Sequence, residues 1–225
     1  MGHDPEQLRD GLWRWTARHP EWHPGEFGAE VASFAVKADG DLLLIDPLLP
    51  PDPGPILRLT DEQAGGRVAI LTTVPYHVRS AEELWRRYRG AADTTIWGHA
   101  AAAKRLEDRA GFREIEPGAT LPAGVSAYAI GKPRRHEMPL YVPAQKALVF
   151  GDALVEVDGE LKVWASDTVD DRQARFYRER FNPTLEPLLE LDVERVLVTH
   201  GQPVMTGGRA KLQAALKARA WWHRD

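Results

Sequence analysis

The chain has 225 residues, no cysteine and a formal net charge of −4, with 43% hydrophobic and 28% charged residues. That composition suits a globular protein and not a disordered one. Without cysteine there is no disulfide, thiolate metal site or cysteine nucleophile, so any metal must be held by His, Asp or Glu. The mildly acidic balance gives no reason to expect nucleic acid or an anionic membrane as partner. No apolar run approaches the roughly 20 residues that span a bilayer, and the polar start MGHDPEQLRDGLWRW lacks the apolar core of a signal peptide. The expectation is a cytoplasmic protein that acts on or binds a small molecule, with its oligomeric state open and a homodimer among the options.

In chain order, Asp4 and Pro5 followed by Leu8, Leu12 and Trp15 at helical spacing predict a helix over Pro5 to Arg18. The apolar runs Val31 to Val36 and Leu42 to Ile45, separated by ADGD, predict a β-hairpin. LLPPDPGP reads as a proline-rich loop. Val68 to Thr72 is a buried strand, and Ala81 to Tyr88 a helix with Ser80 as its N-cap. Thr94 to Trp97 is a short strand, followed by a helix over Ala100 to Arg109 that stops at Gly111. From Gly124 to Trp164 the chain is strand-rich, with VSAYAI, LYV, KALVF and LKVWA broken by Gly, Pro and Asp. Helical patterns return over Asp171 to Phe181 and Thr184 to Leu191. A strand over Arg195 to Thr199 and a helix from about Gly208 to Trp221 complete the series. Strands and helices mix in both halves, which suits a single domain over residues 1–225.

Three apolar runs end in a polar residue that an ordinary strand does not need. ILTTVPYH leads to His77, ALVFGD to Asp152 and VLVTHG to His200. Loops at strand ends on a rigid sheet are favoured places for functional groups. If these ends converge, they form a two-histidine, one-carboxylate cluster that suits Zn²⁺, Fe²⁺ or Mn²⁺ with open positions for water or substrate. Taken singly, each has a plainer reading: a hydrogen-bonded histidine, or an aspartate that shapes a turn.

These blocks resemble the metallo-β-lactamase fold superfamily across most of the chain. DGDLLLIDPLLP resembles its early strand, ending here in Asp46. ILTTVPYHVRSAEEL is similar to the segment that carries H-x-H-x-D-H. LYVPAQKALVFGDAL and VLVTHGQPV resemble the segments with the bridging aspartate and the last histidine ligand. The resemblance implies an α/β fold, a four-layer αββα sandwich of two mixed sheets flanked by helices. The motif departs from the family, because Thr72, Val74 and Tyr76 stand where two histidines and an aspartate are expected. A further histidine is expected near Pro133, where His136 or Glu137 could take its place after a shift in register.

The resemblance therefore implies at most a mononuclear site at His77, Asp152 and His200, holding one Zn, Fe or Mn, or no metal at all. Two functions follow. One is a metal-dependent hydrolase of a small ester, thioester, lactone, amide or phosphodiester, with Tyr76 and Asp152 as catalytic groups and Asp46 as a supporting acceptor. The other is a non-catalytic relative that has lost its metal and keeps the pocket for a ligand or an interaction. Among the remaining polar residues, His99 marks the start of the helix after it. Lys132, Arg134, Arg135 and His136 form a basic patch, read either as a solvated loop or as a receiver for carboxylate or phosphate. Trp13, Trp15, Trp22, His19 and His23 are read as core or pocket lid, and Trp221, Trp222 and His223 as a tail docked on the body of the fold or at a dimer interface.

Overall fold

The computed structural model describes residues 4–224. Its first elements are strands: β1 (Glu6–Arg9) and β2 (Leu12–Arg18) form an antiparallel pair in place of the expected helix. Leu12, Trp13, Trp15 and Ala17 of β2 are buried. β2 pairs along its whole length with β3 (Glu30–Ala38). Seven registered pairs and a buried face outweigh the local helical spacing. β3 forms the expected hairpin with β4 (Asp41–Ile45), turning through Asp39 and Gly40, both at positive φ.

From β4 the chain continues in parallel crossovers. The helix α1 (Gly54–Gln63) leads to β5 (Arg67–Leu71), and α2 (Ala81–Tyr88) to β6 (Asp93–Gly98). α2 carries Glu82 and Glu83 in its first turn and Arg86 and Arg87 in its last, charges that complement the helix dipole. Ala81, Leu84, Trp85 and Tyr88 are its buried face. Ser80 occupies the N-cap position without capping through its side chain; its hydroxyl instead accepts from Leu49 N at 3.0 Å. The expected helix after His99 is only a 3-10 turn over Ala100–Arg105, ahead of the edge strand β7 (Phe112–Glu114).

The second sheet holds β8 (Ser126–Ala127), β9 (Leu140–Val142), β10 (Ala147–Phe150) and β13 (Arg195–Val198), in the order β13-β10-β9-β8. β10 and β13 run parallel and the other pairs antiparallel. The hairpin of β11 (Leu154–Val157) and β12 (Glu160–Val163), together with α3 (Asp171–Phe176) and α4 (Gly208–Lys217), covers its outer side. α3 continues as one π-helical turn over Tyr177–Phe181; the stretch after it forms short 3-10 turns, and α4 ends four residues before Trp221.

Three apolar clusters define the layers. One lies between α1, α2 and the seven-stranded sheet. A second, with Phe34, Leu43, Leu71, Leu140, Val149 and Leu197, lies between the two sheets. The third, with Phe150, Leu154, Phe181, Val198 and Leu212, lies under the outer helices. This is the expected αββα sandwich. Among the described residues no helix is long and apolar enough to cross a membrane.

The sandwich brings four strand ends to one edge: those of β4, β5, β10 and β13. Backbone bonds stitch the sheets together there, from Ala32 N to Thr199 O and from Met138 N to Thr73 O, each 2.8 Å. Phe150, fully buried just before Gly151 and Asp152, anchors one of these ends. Truncating such a side chain costs about 3–5 kcal/mol, a large share of a domain's stability, so the edge rests on a rigid floor.

Candidate functional site

Asp46 ends β4 at a φ of 47°, a left-handed conformation that turns its carboxylate back over the end of β5. The carboxylate accepts from Thr73 N at 2.8 Å and from the Thr73 hydroxyl, and meets His77 Nδ1 at 2.9 Å. Its own carbonyl accepts from Ser33 Oγ at 2.8 Å and from Arg79 Nη1 at 3.0 Å. The 3-10 turn Pro75–Val78 carries His77 into this network. A carboxylate on one ring nitrogen fixes the orientation of the imidazole, so Nε2 points across the site, 3.6 Å from Asp152 Oδ1.

Asp152 follows β10 through Gly151, where a Cβ would lie 2.2 Å from Val74 Cγ2 and 2.7 Å from Thr73 Oγ1. Only glycine lets the two sheets close this far. The Tyr76 hydroxyl donates to Asp152 Oδ2 at 2.6 Å, and Arg134 Nη1 stands 3.8 Å from the same oxygen. Glu137, buried behind them, accepts from both Gly151 N and Asp152 N at 2.9 Å through Oε1, while its Oε2 has no partner. His200, after β13, packs between Phe27 and Trp164 with ring centroids 5.7 and 5.2 Å away. Thr72, in contrast, turns its hydroxyl to Trp97 O at 3.2 Å.

Burial acts against each charge here, and the neighbours decide the outcome. Burial alone would push the Asp152 carboxyl up; His77, Arg134, His200 and the Tyr76 hydroxyl outweigh it and hold it down at about 2. Glu137 goes the other way, pushed up to about 8 by burial and by the charge of Asp152. Burial depresses His200 to about 4, so it is neutral near pH 7. Burial and Asp152 together raise the Tyr76 phenol far above its ordinary range. Tyr76 is therefore a hydrogen-bond donor to Asp152 and not an ionised ligand, even though its ring is 44% exposed. Burial weighs against the Arg134 charge, yet Asp152 and Glu137 hold it more firmly protonated than usual.

A cavity of about 480 Å³ opens over this floor. Tyr76, His77, Arg79, Arg134, Asp152 and His200 all reach it. Its walls are aromatic: Trp22 and Phe27 from the loop after β2, Trp164 after β12, and Trp222 from the tail. The tail and the loop are tied together by Arg224, whose Nε and Nη2 donate to Gly25 O at 2.9 and 2.6 Å.

The three expected ligands thus share one cavity. A tetrahedral ion at ligand distances of about 2.1 Å sets its ligands roughly 3.4 Å apart, and His77 Nε2 and Asp152 Oδ1 have about that spacing. The set goes no further. Among the described residues no group of three His, Cys, Asp or Glu side chains is placed to hold an ion. The second oxygen of Asp152 is engaged by Tyr76 and faces the Arg134 cation. These residues do not fit a resident metal ion.

Of the substitutes expected near Pro133, Glu137 lies beneath the site, whereas His136 is exposed and packs against His99 with tilted rings, centroids 4.9 Å apart. His99 does mark the turn after it, accepting from Ala101 N at 3.1 Å. Trp13 and Trp15 are core, while His19, Trp22, Trp222 and His223 line the cavity. Arg79, Thr73, Phe27 and Trp164 belong to the site and were not singled out as such. Arg79 follows the His77 motif by two residues, but nothing in the sequence marks it as turned inward.

No family model matches the chain, and no curated protein matches it. Solved structures do. The metallo-β-lactamase DIM-1, in crystals exposed to ceftazidime, superposes with a TM-score of 0.63 at 14% identity, covering 95% of each chain. A metallo-β-lactamase from Pontibacter korlensis gives 0.63 at 14% identity, over 96% of this chain and 99% of the other. A peroxy diiron form of the chemotaxis sensor ODP gives 0.61 at 12%, over 96% and 95%. The chain has the metallo-β-lactamase fold. At such identities the likeness shows the fold, and the site must speak for the chemistry.

Proposed function

We propose that this is a metallo-β-lactamase-fold protein whose pocket works without a resident metal ion and takes a small molecule with a flat, largely apolar body. The observation that carries this reading is the pairing of the floor's carboxylates with the protein's own cations. Asp46 meets His77 and, through its carbonyl, Arg79, while Asp152 meets Tyr76, His77 and Arg134. Arginine groups supply positive charge, and the His77 ring and Tyr76 hydroxyl supply polar contacts, where a metal would otherwise meet these acids. The aromatic walls and the cavity volume suit a compact organic ligand.

A second reading is a metal-dependent hydrolase of a small ester, thioester, lactone, amide or phosphodiester, recruiting one ion to His77, Asp152 and His200 beside Tyr76. The 3.6 Å approach of His77 Nε2 to Asp152 Oδ1 favours it. Elemental analysis separates the two. Protein purified without chelator and then incubated with Zn, Fe or Mn should retain less than about 0.1 equivalent if the pocket is metal-free. Retention near one equivalent, abolished by His77→Ala, would overturn the first reading and establish the second.

A further inference from the structure

The guanidinium of Arg134 is placed for a ligand. It lies over the Trp164 ring, 5.2 Å from the centroid, and its side chain is 16% exposed. Among the described residues, its only counter-charge at contact distance is Asp152 Oδ2 at 3.8 Å, beyond hydrogen-bond reach. Among the described residues, none of its N–H groups donates a hydrogen bond, and Nε is buried without a partner. A guanidinium carries five donors in a fixed plane, and leaving buried donors unpaired is unfavourable. Arg79, which lines the same cavity, differs in that its Nη1 is bound to Asp46 O and Ala32 O, although its Nε is likewise buried without a partner.

The rest of the cavity points the same way. Arg79, Arg134 and Arg224 line it against Glu26 and Asp152, so three positive and two negative side chains leave a formal +1, the histidines left out of the count. Asp152 offers little to a cationic ligand, because Oδ2 already accepts from Tyr76 and Oδ1 is buried against His77. The Trp164 face engages the guanidinium as a cation–π partner, and its uncommitted N–H groups suit a planar, two-oxygen acceptor.

We propose that Arg134 is the anion-reading residue of this pocket, and that the ligand is an organic anion: a flat aromatic or acyl body with one carboxylate, sulfonate or phosphate head seated on the Arg134 guanidinium. This rests on the reading of the cavity as a small-molecule pocket. Two fluorescent probes separate the claims: 1-anilinonaphthalene-8-sulfonate, which carries an anionic head, and N-phenyl-1-naphthylamine, which has the same ring body without it.

Wild type should bind the sulfonate about tenfold more tightly than the amine. Arg134→Gln should weaken the sulfonate about tenfold and leave the amine unchanged, the size expected for one charge-assisted hydrogen-bonded contact. Trp164→Ala should weaken both. Equal affinity of wild type for the two probes, with Arg134→Gln silent on both, overturns the assignment of Arg134 while the pocket stands. Equal weakening of both probes by Arg134→Gln also overturns it, since a merely structural arginine acts through the shared ring body. Binding of neither probe overturns the pocket reading itself.

Discussion

The two sides of the cavity floor are built differently. On the side of the seven-stranded sheet, Asp46, Thr73, Ser33 and His77 close a network in which each donor meets its acceptor within 3 Å, although the adjoining Arg79 leaves its Nε unpaired among the described residues. On the side of the four-stranded sheet, Glu137 Oε2, Arg134 Nε, Asp152 Oδ1 and His200 Nδ1 are buried without partners. A satisfied network fixes geometry, whereas a partly satisfied one holds free energy that a ligand or proton can release. The first side is a scaffold that aims His77; the second is where recognition takes place.

The largest test of this contrast is Asp46→Ala. It strips the acceptor from Thr73 N, Thr73 Oγ1 and His77 at once, and should cost about 3–5 kcal/mol. In a chain of this length that lowers Tm by roughly 6–20 °C. A fall of only a degree or two would show that the Asp46 network is not the rigid half.

On the open side the sign reverses with pH. The Glu137 carboxyl is pushed up to about 8, against about 4.3 in an unfolded chain. A raised acid pKa leaves stability intact below the unfolded value and erodes it as pH rises through the folded one. Glu137→Gln should therefore match wild type near about pH 4 and exceed it near about pH 9, by roughly 1–3 kcal/mol. Thermal melts across that range decide it; a variant that is weaker at high pH would mean that the buried carboxylate is needed in its charged form. His200, depressed to about 4 by burial, acts in the opposite direction. Its contribution is present above about pH 6.5 and is lost as pH falls through 4, in both proteins alike.

How much of this was legible beforehand follows from range. The β3–β4 hairpin was, because two apolar runs and an Asp-Gly turn state it within sixteen residues. β1 and β2 were not, because Leu8, Leu12 and Trp15 satisfy a helical spacing and only pairing with β3 makes them strands. The alanines after His99 favour a helix locally, yet the chain leaves it at Arg105 to reach β7. His77, Asp152 and His200 were visible as polar residues ending buried strands, and Asp46 through the family resemblance. Trp164 and Phe27 were not, since loops distant in sequence bring them together. The basic patch was read either as solvent-facing or as a receiver; its members separate, with Arg134 turned in and His136 exposed.

Two smaller changes sharpen the comparison. Gly28 has a φ of +66°, and a Cβ there would lie 2.7 Å from His200 Nδ1. Gly28→Ala should cost about 1–2 kcal/mol and displace the loop that carries Phe27, read as a lower Tm and weaker probe binding together. Tyr76→Phe removes one hydroxyl donor from Asp152 and should cost only about 0.5–1.5 kcal/mol. A larger loss would place Tyr76 in the scaffold half instead.

The central claim is that protein cations stand in for a metal at this strand-end edge. Anomalous diffraction at the zinc edge, from crystals soaked in zinc, addresses it directly. The account predicts no anomalous peak between His77 Nε2 and Asp152 Oδ1. A well-occupied peak about 2.0–2.2 Å from both atoms, with Arg134 displaced from Asp152, would contradict it.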